Sequence, residues 1–230
     1  MSDTIAGATA GPVLVTGFGP FGAHTRNPSA DLAHSLAGEV IDGVPVVARV
    51  FATSTHTVAA ELSAALDELN PSVIVSLGLA PGRPALSLER IAINVRDFPV
   101  PDHAGVLLTD APIDPSGPAG HFSGLPIRAI LSDWQRSTIP GHISDTAGTY
   151  LCNQLFYLVA AAGERRGIPA GFIHIPDTPE SAAVSAGNQP VGQPTMELAT
   201  MRRGLLAAIE LTLHPERSYG TATLAAGAIA

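Results

Sequence analysis

The sequence predicts an α/β fold: a three-layer α/β/α sandwich around a mainly parallel twisted sheet, in a single domain. Two observations carry this expectation. Short, continuous apolar runs, the pattern of strands buried on both faces, alternate with segments whose apolar residues recur at helical spacing. A chain of 230 residues, 46% hydrophobic and 14% charged, also suffices for a sizeable core, and neither a repeat nor an interdomain linker divides it.

The elements follow in order. Pro12-Val13-Leu14-Val15-Thr16 reads as a buried strand, and Pro28 to Leu36 as a short helix with Asn27 placed to cap it and proline at its first position. Val44 to Phe51 reads as the next strand. Val58, Leu62, Ala65, Leu66 and Leu69 recur at helical spacing until Asn70-Pro71 ends the pattern, and Ser72 to Leu77 forms another buried strand. An extended segment runs through Leu86 to Val95, and a loop rich in proline and glycine spans Phe98 to Pro126. A helix is expected from Ile127 to Gln135, and a second, from Tyr150 to Arg165, is apolar on nearly every side and therefore buried. Gly171 to Pro176 is a short strand, Asp177 to Gln193 a loop, and Leu198, Met201, Leu205, Ile209 and Leu213 mark the last helix. Residues 1–214 are expected to form the domain and 215–230 a flexible C-terminal tail.

Composition excludes several functions. A formal charge of −8 leaves no basic face able to follow a phosphate backbone, so no nucleic-acid partner is expected. All twelve basic residues are arginine; without lysine there is no Schiff-base chemistry and no P-loop lysine. One cysteine, Cys152, makes neither an intrachain disulfide nor a multi-cysteine zinc site, and the N-terminus lacks the basic segment of a secretory signal. No apolar stretch approaches the roughly 20 residues of a membrane span. A cytoplasmic protein without membrane association fits these observations.

Two sites invite chemistry. Cys152 follows a turn that opens into a helix, where the macrodipole and unpaired amides favour a thiolate. A small apolar filler in the core is the competing reading of a lone cysteine. Gly17-Phe18-Gly19-Pro20-Phe21-Gly22 matches G-x-G-x-x-G after a strand, a pattern of dinucleotide-binding turns. Against that reading, Pro20 interrupts the motif, the helix starts later, and two phenylalanines crowd the phosphate position. Phe18 and Phe21 equally suit an apolar ligand slot at the carboxyl edge of the sheet.

Several blocks carry a family resemblance: Val13 to Gly22 with Asn27-Pro28-Ser29; Gly78-Leu79-Ala80-Pro81-Gly82-Arg83; Leu88 to Val95; Asp145 to Asn153; and Gly171 to Pro176. In this order they resemble the pyroglutamyl peptidase type I family, over most of the chain from Val13 to about Glu180. The resemblance implies a cysteine omega-peptidase that removes N-terminal pyroglutamate from peptides through a thioester acyl-enzyme, with no metal or organic cofactor. It assigns Cys152 as nucleophile, His174 as general base and Glu89 as the third, acidic member. Glu89 alternatively serves only as an ion-pair partner of Arg90 or Arg83. Phe18, Phe21, Asn27, Tyr150 and Leu151 would line the substrate pocket, an apolar setting suited to a neutral lactam; Asn27 equally suits a helix cap alone. The family often forms homotetramers.

Two positions depart from the family pattern. Pro99 stands where the family carries an arginine thought to hold the developing oxyanion, and proline offers neither charge nor a backbone donor. Arg96 is a candidate substitute. Asp145, where the family commonly has asparagine, places negative charge near Cys152. A catalytically weakened member that binds pyroglutamyl or related small ligands is therefore the alternative function.

Overall fold

The computed structural model describes residues 11–21, 26–185 and 192–217; Gly22 of the glycine motif, part of the Asp177 to Gln193 loop and residues 218–230 of the expected tail lie outside them. In chain order the elements are β1 (Val13–Phe18), α1 (Pro28–Leu36), β2 (Val40–Ile41), β3 (Val44–Phe51), α2 (Val58–Leu69), β4 (Val73–Leu79), β5 (Leu86–Glu89) and β6 (Ile91–Ile93). There follow β7 (Gly120–Phe122), α3 (Ile127–Arg136), β8 (Gly141–Ser144), α4 (Leu151–Arg166), β9 (Ala170–Ile175), α5 (Pro179–Ser185) and α6 (Leu198–Leu213), then one 3₁₀ turn at Pro215–Arg217.

Seven strands form the main sheet in the order β2-β3-β1-β4-β9-β5-β8. Neighbours run parallel except at β2/β3 and β5/β9, so the mainly parallel three-layer expectation holds. Every residue of β1 and β9 is buried, as their mainly apolar sequences require of strands covered on both faces. One face packs on α1, α3 and α6 around Trp134, which is fully buried and donates its indole N–H to the Gly204 carbonyl at 2.9 Å. The other face packs on α2 and α4 around Phe156, Tyr157 and Phe172. Helix α4 is buried from Leu151 through Gly163 over most of its surface, which accounts for its apolar character on all sides. Asn70 ends α2 in the left-handed region, with φ at 41°, ahead of Pro71.

The extended segment Leu86 to Val95 departs from a single strand. It breaks at Arg90: β5 stays in the main sheet, while β6 pairs antiparallel with β7 inside the long predicted loop. The side chain of Asn153 on α4 holds this second piece, accepting from Ile93 N–H at 3.0 Å and donating to Ile93 and Val95 carbonyls at 2.8 and 3.0 Å. A period-based reading cannot see such a break, because the apolar pattern continues through it while the partner changes. Likewise β2, β8 and α5 are too short to generate a period, and α5 falls within the predicted loop.

Candidate active site

The carboxyl edges of β1, β4 and β9 and the first turn of α4 converge on one side of the sheet. Strand register puts His174 of β9 between Gly78 of β4 and Ser87 of β5. Its Nδ1 lies 2.7 Å from Oε1 of Glu89, the last residue of β5, which is completely buried. With Nδ1 engaged by a carboxylate, the other ring nitrogen faces Cys152, the second residue of α4, with which His174 shares a side-chain hydrogen bond. Gly78 makes this approach possible. A Cβ there would lie 2.8 Å from Cys152 Sγ and 2.7 Å from Phe172 Cζ. Gly78→Ala is therefore expected to lower stability by about 1–3 kcal/mol, as overpacking does. It should also cut turnover at least about tenfold by moving the thiol off the imidazole; thermal melts and amidase rates check both.

The charges are mutually supportive. Burial alone would lower the His174 pKa, yet the charge of Cys152 and its hydrogen bond, with those of Glu89, push it up to about 9. Burial pushes the Glu89 carboxyl up, but the hydrogen bond and charge of His174, with hydrogen bonds from Ser144 and Arg83, outweigh it and hold its pKa below the ordinary value. Arg83 Nη1 sits 2.7 Å from the same Oε1 that meets His174. The two readings of Glu89, histidine partner and arginine partner, are thus both realised. Arg90 instead pairs with Asp145, so the carboxylate ahead of Cys152 is neutralised by a neighbour.

Cys152 opens onto a cavity of about 400 Å³ lined by Phe18, Phe21, Asn27, Tyr150 and Leu151, together with Arg26, Thr53, Leu79 and Pro81. All five expected pocket residues therefore share one wall with the thiol. Tyr150 packs against Phe21 at 5.5 Å and edge-on against Phe98 at 4.6 Å between ring centroids, and its hydroxyl donates to the Pro101 carbonyl at 3.1 Å. Burial first, then the charges of Asp102 and Cys152, push the Tyr150 phenol up to about 12, so it stays a neutral donor. Asn27 both caps and lines. Its Oδ1 accepts from Ser29 N–H at 3.1 Å and Ser29 Oγ at 2.8 Å, while its Nδ2 donates to the Gly19 carbonyl at 2.9 Å.

Those bonds also decide the glycine motif. The Phe18 amide donates to Ser29 Oγ and the Gly19 amide to the Phe51 carbonyl, so neither is free to cradle a phosphate. Gly17 answers a packing need: a Cβ there would lie 2.4 Å from the Ser29 carbonyl oxygen, at the start of α1.

Arg96, the candidate substitute for the arginine expected at position 99, is engaged within the long loop. Its guanidinium donates to Thr55 Oγ1 at 3.3 Å and to the Pro112 carbonyl at 2.6 Å, tying the long loop together. Thr55 in turn bonds Gln154 of α4 and, through its N–H, Asp102 at 2.8 Å. Asp102 also accepts from the amides of Ala104 and Val106, each at 2.9 Å, and these bonds outweigh burial and hold its pKa low. Pro99 itself is exposed beside the buried Phe98.

The family model for pyroglutamyl peptidase matches residues 12–214 of this chain. The chain belongs to the pyroglutamyl peptidase family. Relatives include the pyrrolidone-carboxylate peptidase of Bacillus cereus strain G9842, 41% identical over 206 residues, covering 89% of this chain and 94% of that protein. Another, from Klebsiella pneumoniae strain 342, is 42% identical over 203 residues, covering 88% and 92%. Among solved structures, the pyrrolidone carboxyl peptidase from Thermococcus litoralis superposes with a TM-score of 0.83 at 33% identity, covering 88% of this chain and 93% of that one. A mutant pyrrolidone carboxyl peptidase from the hyperthermophile Pyrococcus furiosus gives 0.85 at 37% identity, covering 89% and 99%.

In this pyroglutamyl peptidase family member, sequence reading missed Gly78, Arg26, Thr53 and Phe98. Gly78 lies inside a quoted motif, whereas Arg26 and Thr53 reach the cavity only through loop geometry. Among the described residues, no cluster of three or more His, Cys, Asp or Glu side chains could hold a metal, and no helix is long and apolar enough to cross a membrane.

Proposed function

We propose that the chain is a cysteine omega-peptidase that hydrolyses the bond after an N-terminal pyroglutamyl residue, with Cys152, His174 and Glu89 as its catalytic groups. The observation that carries this is one hydrogen-bonded chain, Glu89 to His174 to Cys152, opening onto an apolar cavity. The lactam ring packs among Phe18, Phe21 and Tyr150, where a charged N-terminus would be poorly solvated. The Cys152 thiolate attacks the pyroglutamyl carbonyl carbon, forming a tetrahedral oxyanion. His174 gives its proton to the leaving nitrogen, the C–N bond breaks, and a thioester remains. His174 then takes a proton from water, whose oxygen attacks the thioester; pyroglutamic acid leaves and the thiolate returns.

The first intrahelical bond of α4 runs from Gln154 N–H to the Tyr150 carbonyl, so the amides ahead of it at Leu151 and Cys152 have no helical acceptor. With the positive end of the helix they hold the oxyanion that Pro99 cannot. Release of a fluorogenic amine from a pyroglutamyl amide tests the activity, and absence of release by the native protein would overturn it. A binder without turnover is favoured only by Pro99. Pro99→Arg is expected to raise kcat at least about tenfold with little change in KM, since a lost oxyanion donor costs on the order of a hundredfold or more. An unchanged kcat would mean that the α4 amides suffice. The same reading extends to a cytoplasmic homo-oligomer, a tetramer by resemblance, which sedimentation checks.

A further inference from the structure

We infer that a second depression, adjoining the cavity at Cys152, receives the peptide that follows pyroglutamate and favours a basic side chain there. This rests on the peptidase reading. The depression, about 190 Å³, is lined by Arg26, Asp31, Thr178, Glu180, Ser181 and Val184, with Leu198 at its edge. Arg26 is common to both spaces, so the two meet across a single side chain at the carboxyl edge of the sheet.

The direction of the substrate follows from the chemistry. An acyl group held among Phe18, Phe21 and Tyr150, with its carbonyl at Cys152, must present the leaving nitrogen to His174. The chain beyond that nitrogen continues away from the aromatic wall. Strand β9 carries His174 and runs on through Pro176 and Asp177 into Thr178, which lines the depression, so the space lies on the outgoing side.

Its charge selects. Arg26 Nη2 lies 3.0 Å from Asp31 Oδ2, and the two cancel. Glu180 is exposed and has no ion pair among the described residues, which leaves one net negative charge in the depression. Val184 is 69% exposed, and with Leu198 it offers apolar surface beside that carboxylate. An aliphatic stem ending in a cation matches this pairing: the stem covers Val184 and Leu198, and the head reaches Glu180. An acidic side chain would instead meet Glu180.

The test compares kcat/KM for two pyroglutamyl tripeptide amides that differ only in lysine or glutamate after pyroglutamate, at low ionic strength. Lysine should be preferred about fivefold, the upper range of one solvent-exposed ion pair. The ratio should approach one in Glu180→Gln, invert in Glu180→Lys, and shrink with added salt. A native ratio near one, or one that Glu180→Lys leaves in place, would overturn the inference. If the native protein cleaves neither peptide nor a pyroglutamyl arylamide, the peptidase reading itself fails. Calorimetric Kd values for the same two peptides then decide the depression: equal affinities overturn it, and a lysine preference lost in Glu180→Lys upholds it.

Discussion

Replacing Cys152 with alanine is expected to reduce hydrolysis of a pyroglutamyl amide at least about a thousandfold, because the chain has no other thiol and the hydroxyls of Thr53 and Tyr150 on the same cavity wall donate to the Pro20 and Pro101 carbonyls. The same substitution has a second readout that does not depend on turnover. After burial, which works in the opposite direction, the charge of Cys152 is the foremost of the influences that, together with Glu89, raise the His174 pKa from 6.5 to about 9. Without the thiolate, burial gains weight and His174 should titrate lower, as NMR of the ring would show. Since the raised pKa favours the folded state, this contribution to native stability is complete below about pH 6.5 and is lost as pH rises through about 9. Turnover should decline over the same upper range, as His174 loses the proton that the leaving nitrogen needs. An alanine variant as active as native, or an unmoved His174 titration, would remove Cys152 from the mechanism.

Much of this arrangement was legible in the sequence, for identifiable reasons. Strands β1, β4 and β9 declare themselves because a strand buried on both faces has no polar alternation to blur it. Cys152 and the phenylalanines could be placed at one sheet edge from their positions just after a strand or at a helix start. What sequence could not supply was the outcome of competition between partners. Glu89 had Arg90, Arg83 and His174 within plausible reach, and it is the antiparallel pairing of β5 with β9 that brings the carboxylate to the imidazole. That pairing breaks the parallel pattern that the alternating elements suggest. Asn27 posed the same difficulty. Capping and lining are compatible only because the loop folds Gly19 back over its amide. Arg96 was a reasonable substitute for the missing arginine by spacing alone, yet the Pro112 carbonyl and Thr55 claim its guanidinium.

Glu89→Gln should lower kcat by about a thousandfold to ten-thousandfold while leaving KM nearly unchanged, because Glu89 lies behind His174 and does not line the cavity. The volume is preserved and the charge is not. An amide can turn its NH₂ toward Nδ1, which forces the ring proton onto the nitrogen facing Cys152, and a ring in that tautomer cannot accept the thiol proton. It also leaves Arg83 without the carboxylate that now lies 2.7 Å from its Nη1. A hydrogen bond to a charged group contributes about 1.5–3 kcal/mol, and Arg83 keeps partial contact with solvent, so the variant should melt below the native protein at neutral pH. The native pKa of Glu89 is held below its ordinary 4.5, so its contribution is present above that pH and lost as pH falls through the lowered value. The difference in melting temperature should therefore be flat at neutral pH and narrow on the acid side. The two roles of Glu89 separate in this comparison. A variant that loses stability but keeps kcat within about tenfold would show that the carboxylate serves Arg83 and the loop it anchors, with His174 oriented by its strand alone.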